Sequence, residues 1–556
     1  MPVKDLKDLQ EKQLLNHVAG ESPKRVQVAV CLLLVELCER FTFFGIVCNT
    51  ILFCTVKLGY RNYQAAIVNI CFVGTSMLTP VLMGWLGECL VGRIKLVYIC
   101  VFLHFLGTVL LPVVAFPFED FYIDQHHVLH TLAKQEQKIL FYFSLLMACL
   151  GTGGIRAIVC PLSAYNLEEY GPKELLSFFN WFYWLINLNS AVVFVCISYV
   201  QQSVAKNLGF LIPFVSVLMA LITIHMVHSE MIYQPKKGSS LLTTFGVFAS
   251  ALKVCCVRYR YYLDGHVANW LDHAKENYGG WYSEFHVEST KSLLRLFPLF
   301  AFQILYRTCI MQIPSGYYLQ TMNSNLNLNG FLLPIAAMNV ISIVPLLILA
   351  PVLECINSYL FSPKPGRRSP TVYIIVGHIS TTLSVMAAGF FEIHRKHFPL
   401  VEQTLSGKVL LVSSMPCFHL APQYVLLGVA EALVTPTYRI RRISMHFLTL
   451  FNGAGCFLGA FIVQVVYVGS QGIWFPNFLN EGKLERFYFF LASLMMVNTF
   501  GFWKVSHRYD NLNQEYDQGL QGSLLEERLL QHEKSLKFYD SILESSSTVS
   551  PVETAL

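Results

Sequence analysis

Residues 26–56 form an apolar run long enough to cross a lipid bilayer, and near its middle stands Val35-Glu-Leu-Cys-Glu-Arg-Phe-Thr-Phe-Phe-Gly45. Each ionisable group near the centre of a spanning helix costs about 2.5–3.5 kcal/mol on insertion scales. Three of them in one segment are therefore a strong constraint. Glu36, Glu39 and Arg40 stand at i, i+3 and i+4, so they share one helical face and can bond one another or a polar cavity. Two readings are open: a salt bridge that locks a helix pair, or the lining of an ion, proton or substrate path, which is what ionisable groups inside a bilayer generally mark.

The rest of the chain is built of similar material. Of its 556 residues 54% are hydrophobic and only 13% are charged, which excludes an ordinary soluble protein and predicts an all-α polytopic membrane protein. A net charge of +5 without a basic patch gives no sign of nucleic-acid binding. The first 26 residues carry mixed charges and no short apolar core before a small-residue cleavage site, so no cleaved signal peptide is expected. Most of the 16 cysteines lie in apolar runs, where thiols behave as small hydrophobes, and none joins histidines at zinc-ligand spacing. No metal and no cofactor are expected. The pair Cys255-Cys256 is a weak palmitoylation candidate, and the chain has no Asn-x-Ser/Thr acceptor.

Segments of spanning length begin near residues 26, 65, 94, 139, 177 and 208, and again near 293, 331, 371, 421, 446 and 487. Basic residues at 24–25, 93–95, 236–237, 258–260, 367–368, 439–442 and 504–508 share one side if both termini are cytoplasmic. The expected layout is a cytoplasmic N-terminus 1–25, a six-helix bundle 26–228, a cytoplasmic central loop 229–291, a second six-helix bundle 292–508 and a cytoplasmic tail 509–556. Twelve transmembrane helices in two six-helix bundles describe the major facilitator superfamily fold, in which two halves rock around a midplane site.

Five separated motifs carry a more specific resemblance. Glu36-x-x-Glu-Arg-Phe41 is similar to the first-span signature of the proton-coupled oligopeptide transporter family, a branch of that superfamily. Gly84-Trp-Leu-Gly-Glu88-x-x-x-Gly92-Arg93-x-Lys95 resembles the superfamily's turn between the second and third spans, with Glu88 in the place of the aspartate. Gly151-Thr-Gly-Gly-Ile-Arg156 is similar to the family's Gly-Thr-Gly-Gly-x-Lys, and Phe182-Tyr-Trp-Leu-Ile-Asn187-Leu-Asn-Ser190 to its Phe-Tyr-x-x-Ile-Asn-x-Gly-Ser. The tenth span, Pro422-Gln-Tyr-Val-Leu-Leu-Gly-Val-Ala-Glu431-Ala-Leu-Val-Thr-Pro436, looks like that of the peptide/histidine branch of solute carrier family 15.

The resemblance implies a proton-coupled symporter of small peptides, either di- and tripeptides or histidine, working by alternating access across a membrane. Proton coupling falls on Glu36, Glu39, Arg40, Arg156 and Glu431. Substrate binding falls on Arg40, Arg156, Asn187, Ser190, Arg307, Gln312 and Glu431, and the gate turn on Gly84, Glu88, Gly92 and Arg93. A zwitterion would set its carboxylate on arginine and its ammonium on Glu431.

Departures from the family are informative. Arg156 replaces a lysine, and arginine keeps its proton, with a pKa above about 12, so it cannot release a ligand by deprotonation. Phe43 and Phe44 stand where peptide carriers place tyrosines. The second-span histidine of the animal di/tripeptide branch falls on Ile70, and the eighth-span asparagine on Ser342. Arg307 replaces an aromatic, and recruiting an anion, pairing with Glu392 and pairing with Glu431 are all open. Two alternatives follow: a carrier of a different solute, anionic or otherwise non-peptide, with altered proton coupling, and a transporter-like scaffold or sensor acting through its tail. That tail has amphipathic spacing over 520–543 and ends in Glu553-Thr-Ala-Leu556, which fits a PDZ-domain ligand. Plasma membrane and endolysosomal membrane are both compatible with the sequence.

Overall fold

In hydrocarbon a backbone N–H or C=O has no water to bond, so segments this apolar are driven into helix. A computed structural model of the protein follows that rule. It describes residues 3–115, 134–167, 182, 184–204, 209–227, 240–258, 270–276, 280–360, 371–439 and 445–507. Met1–Thr499 form one compact unit and Phe500–Leu556 a second.

The helices of the N-terminal half are α1 (Val3–Val56), α2 (Asn62–Cys89), α3 (Arg93–Ala115), α4 (Lys134–Leu167), α5 (Trp184–Val204) and α6 (Leu211–Met226). A linker helix α7 (Ser240–Arg258) leads to α8 (Glu284–Ile310), which continues through a π-helical turn, Ile313–Tyr317, into α9 (Tyr318–Met322). The remaining helices are α10 (Met338–Leu360), α11 (Thr371–Lys396), α12 (Ala421–Arg439), α13 (Met445–Gly469) and α14 (Leu484–His507).

Eight of these, α2 to α5 and α11 to α14, are long and apolar enough to cross a membrane. The apolar stretches of α6 and α10 are shorter, and α1 and α8 pack among the eight. Among the described residues, length and composition thus support eight of the twelve expected spans. Two expected boundaries move. Helix α8 starts at Glu284 rather than near residue 293, and the eighth-span helix starts at Met338 rather than near 331. Phe331–Leu332 (β2) instead pairs antiparallel with Asn327–Leu328 (β1) around a reversal at Asn329 and Gly330, both at positive φ.

Helices α1 to α4 and α6 pack on one another, and α8 and α10 to α13 do the same in the second half. The halves meet chiefly where α2 runs antiparallel to α13. Small residues set that distance: a Cβ on Gly453 would overlap the Leu78 side chain, and one on Gly74 would come 2.9 Å from Cys456. At the end of this pair away from the linker, the Tyr63 and Tyr467 rings stack at 3.6 Å between centroids, Arg61 donates to the Tyr467 hydroxyl at 2.7 Å, and Asn62 donates to the Asn477 carbonyl at 2.7 Å. On the same face a hairpin, β3 (Leu400–Leu405) with β4 (Lys408–Ser413), covers a fully buried pair in which Arg395 donates to both oxygens of Glu392, at 3.0 and 2.7 Å. At the linker end of α2, Gly92 adopts φ +92°, a conformation that reverses the chain into α3 without a Cβ penalty.

Candidate functional site

The acids of α1 lie where a membrane helix tolerates them, on its protein-facing side. Glu36 and Glu39 are each 1% exposed, and two arginines hold them. Arg40 Nη2 lies 3.1 Å from Glu36 Oε1 and its Nε 3.6 Å from Glu39 Oε2. Arg156, from α4, donates through Nε to both Glu39 oxygens at 3.0 and 3.1 Å, and its Nη2 lies 3.0 Å from Oε1. A charged donor on both lone-pair edges of a buried carboxylate is the arrangement that offsets its desolvation. The Arg156 guanidinium also lies 4.1 Å from the Phe43 ring centroid, and Phe43 stacks on Phe72. The phenylalanine at this position thus supplies a face for the cation.

The Gly151-Thr-Gly-Gly-Ile-Arg156 motif explains how α4 comes so close. A Cβ on Gly151 would overlap the backbone of His104 in α3, one on Gly154 would overlap Cys100, and one on Gly153 would overlap Thr79 in α2. Three glycines on different faces admit two neighbouring helices and leave Arg156 facing α1.

The second half holds a looser counterpart. Arg307 Nη1 lies 3.4 Å from Glu431 Oε1, and the side chains are 15% and 29% exposed. This sets aside the Glu392 pairing, since Glu392 is taken by Arg395, and places Arg307 on Glu431. Gly455 makes room for the Arg307 stem, to which an added Cβ would come within 2.7 Å.

The other expected polar residues are placed differently. Ser190 donates its hydroxyl to the Asn187 carbonyl at 2.8 Å, and Gln312 donates to the Thr308 carbonyl at 3.3 Å, so both bond the backbone of their own helix. Asn187 is buried beside Ser190. In the gate turn an added Cβ on Gly84 would meet nothing within 4 Å, and Gly92 makes the reversal described above. Arg93 opens α3, while the side chains of Glu88, Cys255 and Cys256 lie outside the described residues, as do residues 440–444 and the tail from 508. Glu36, Glu39, Arg40 and Arg156 therefore form one network, and Arg307 with Glu431 a second.

A profile of the POT family matches residues 95–474. The chain belongs to the POT family. Its members are transporters, not enzymes, and this chain is a multi-pass membrane transporter of the POT type. It is 60% identical to human "Solute carrier family 15 member 5" over 99% of this chain and 97% of that protein. Among solved structures, an auto-inhibited POT family peptide transporter superposes with a TM-score of 0.67 at 17% identity, over 87% of this chain and 97% of that one. A POT family transporter in complex with 5-aminolevulinic acid superposes with a TM-score of 0.60 at 14% identity, over 86% and 96%. These likenesses give the chain the two-bundle fold of the major facilitator superfamily.

Sequence reasoning missed His104, the Glu392–Arg395 pair and the Arg61, Tyr63 and Tyr467 contacts. A Glu-x-x-Arg spacing at 392–395 was the available signal for the second. The other two arise from contacts between distant helices and leave no local pattern.

Proposed function

We propose that this chain is a proton-driven symporter of small zwitterionic peptides, di- and tripeptides or histidine, working by alternating access. The observation that carries the reading is one arginine–carboxylate cluster in each half of the molecule, each of equal acid and base. A ligand with a carboxylate and an ammonium can displace internal partners in both without leaving net charge behind. Protonation of Glu36, Glu39 or Glu431 would release the paired arginine for the ligand's carboxylate. Since arginine keeps its proton, the acids must carry the coupling. Both termini would face the cytoplasm, and the bundles would run over 26–228 and 292–508, joined by the loop 229–291.

The contact between Arg307 and Glu431 favours a second reading, an anionic solute. Arg307 already neutralises the acid meant for an ammonium group, and an anion entering the site would compete with Glu431 for it. The solved relative that carries 5-aminolevulinic acid, itself an amino acid zwitterion, supports the first reading.

Reconstitution of the full chain into proteoliposomes with an inward-directed proton gradient tests both. Uptake of labelled dialanine, a tripeptide or histidine that needs the gradient and is lost in Glu39→Gln is the expected result. Uptake that ignores the gradient would refute proton coupling. Gradient-driven uptake of a dicarboxylate but of no peptide would select the anionic reading. A PDZ-domain protein on Leu556 remains a separate proposal, tested by binding to the tail peptide with and without that residue.

A further inference from the structure

His104 stands in the middle of α3 on the stripe that faces α4, and it is 1% exposed. Its Nδ1 lies 3.1 Å from the Ala148 carbonyl oxygen and 3.3 Å from Thr152 Oγ1. A carbonyl oxygen only accepts, so Nδ1 carries the hydrogen. In the neutral ring Nε2 is then a bare base, and among the described residues it has no hydrogen-bond partner. A purely structural histidine has no use for an unshared lone pair in a buried helix interface, and an apolar ring would pack there without one.

The surroundings give that base a use. Ala148, Thr152 and Arg156 follow at i, i+4 and i+8 on one face of α4, so the residue that touches His104 is one turn, about 6 Å, from the residue that grips Glu39. Glu39 on α1 and Arg156 on α4 are the charged groups whose fields reach the ring. The other helices packed on α3 add none: α2 has no acid, base or histidine from Asn62 to Gly87, and α6 has none before His225. Arg156 cannot give up a proton, so a group that can must stand elsewhere in this network.

We propose that His104 is a proton-holding residue of the amino-terminal network, taking at Nε2 the proton that Glu39 gives up when it re-forms its bond to Arg156. In that step the O–H bond of the Glu39 carboxylic acid breaks, an N–H bond forms at Nε2, and carboxylate and imidazolium are the products. The reverse step resets the site. The inference deepens the symport reading and rests on it for its role in transport, while the protonation itself needs no substrate.

The test is made on the full chain in lipid nanodiscs with 15N-labelled histidine, comparing wild type with His104→Asn and Glu39→Gln. The asparagine amide can keep the bond to the Ala148 carbonyl while removing Nε2, so folding is retained. The expected result is one imidazole, absent from His104→Asn, that gains its second N–H proton as pH falls from 8 to 4.5. Its midpoint should move to lower pH in Glu39→Gln, because a neighbouring negative charge has gone. In proteoliposomes offered dialanine and histidine, His104→Asn should flatten the pH dependence of uptake at least 10-fold between pH 5.5 and 7.5.

An imidazole that stays neutral throughout, or a His104→Asn uptake profile like that of wild type, overturns the proposal. An imidazole that titrates and answers to Glu39, in a protein whose uptake ignores the gradient, would uphold the proton site and refute symport instead.

Discussion

The two arginine–carboxylate clusters use the same chemistry with opposite tightness. In the amino-terminal half Glu39 is enclosed by Arg156 and Arg40, with the nearest contact at 3.0 Å and the carboxylate side chain fully buried. In the carboxy-terminal half Arg307 and Glu431 share one contact at 3.4 Å, and both side chains keep some exposure. A buried, multiply bonded pair is stable only while complete. A partly exposed pair with one long contact loses less when a partner is exchanged. The comparison teaches that the first carboxylate is held from two sides in full burial, while the second rests on one long contact.

The largest expected effect follows from removing one arginine at a time. Arg156→Ala leaves Glu39 buried and stripped of its principal donor, a loss of about 3–5 kcal/mol. Arg307→Ala removes a single long contact from a carboxylate that is part-exposed, so it should cost less than Arg156→Ala. Thermal unfolding of both variants in one nanodisc preparation measures the difference. Equal losses would break the asymmetry. Arg156→Lys should recover most of the stability, and it would introduce a cation able to shed its proton.

Much of the first cluster is legible in the sequence because helical periodicity is local: Glu36, Glu39 and Arg40 share a face whatever surrounds them. The glycines before Arg156 announce a close helix approach, though which helix each one admits is a property of three-dimensional packing. Ser190 and Gln312 show the opposite. The family resemblance implies groups offered to a ligand, but inside a bilayer a hydroxyl or amide without a partner turns to the nearest carbonyl of its own helix. His104 carries no pattern in sequence at all. A single histidine in an apolar helix acquires meaning only when Gly151 brings α4 against it.

Charges around the linker supply an intermediate case. In the linker, Asp272 accepts from Lys291 at 2.5 Å and lies 3.1 Å from Lys275, which also reaches Glu284 at 2.7 Å and Glu288 at 3.1 Å. Burial alone would push the Asp272 carboxyl up, but hydrogen bonds from Lys291 and Lys275 outweigh it and hold it below its usual range. Glu288 is lowered by the same balance. For Lys275 burial is again the largest influence and acts downward, and the three carboxylates overcome it and raise the group.

The signs then fix the pH window. Acids whose folded values are depressed stabilise the fold above their unfolded values near 4 and lose that contribution as pH falls through the folded ones. A raised lysine contributes fully below its unfolded value near 10.4 and fails only in stronger alkali. Hydrogen exchange of 270–276 and 284–291, corrected for intrinsic rate, should stay flat between pH 5 and 9 and rise below about pH 4, with Asp272→Asn costing about 1 kcal/mol at neutral pH. If the Arg307–Glu431 pair is as loosely held as its geometry implies, Arg307→Ala should cost no more than loss of a contact in this linker network does.

The smallest effect concerns the pin that joins the two halves. Stacked rings contribute about 0.5–1.5 kcal/mol beyond their buried area, and a single exposed hydrogen bond about 0.5 kcal/mol. Tyr467→Phe removes only the bond from Arg61 and keeps the stack on Tyr63, so its loss should be near the smaller figure, and Tyr467→Ala should lose both. A double-mutant cycle with Arg61→Ala isolates the bond, since Arg61→Ala and Tyr467→Phe then remove the same interaction and should not add. The pin also decides how the difference between the halves is read. While it holds, a destabilised first half should drag the second with it in one unfolding transition. In Tyr467→Ala combined with Arg156→Ala, two transitions should separate, the first-half helices opening before those of the second. A single transition in that double variant would mean that the α2–α13 contact alone couples the halves, and that their unequal charge clusters never act as separate units of stability.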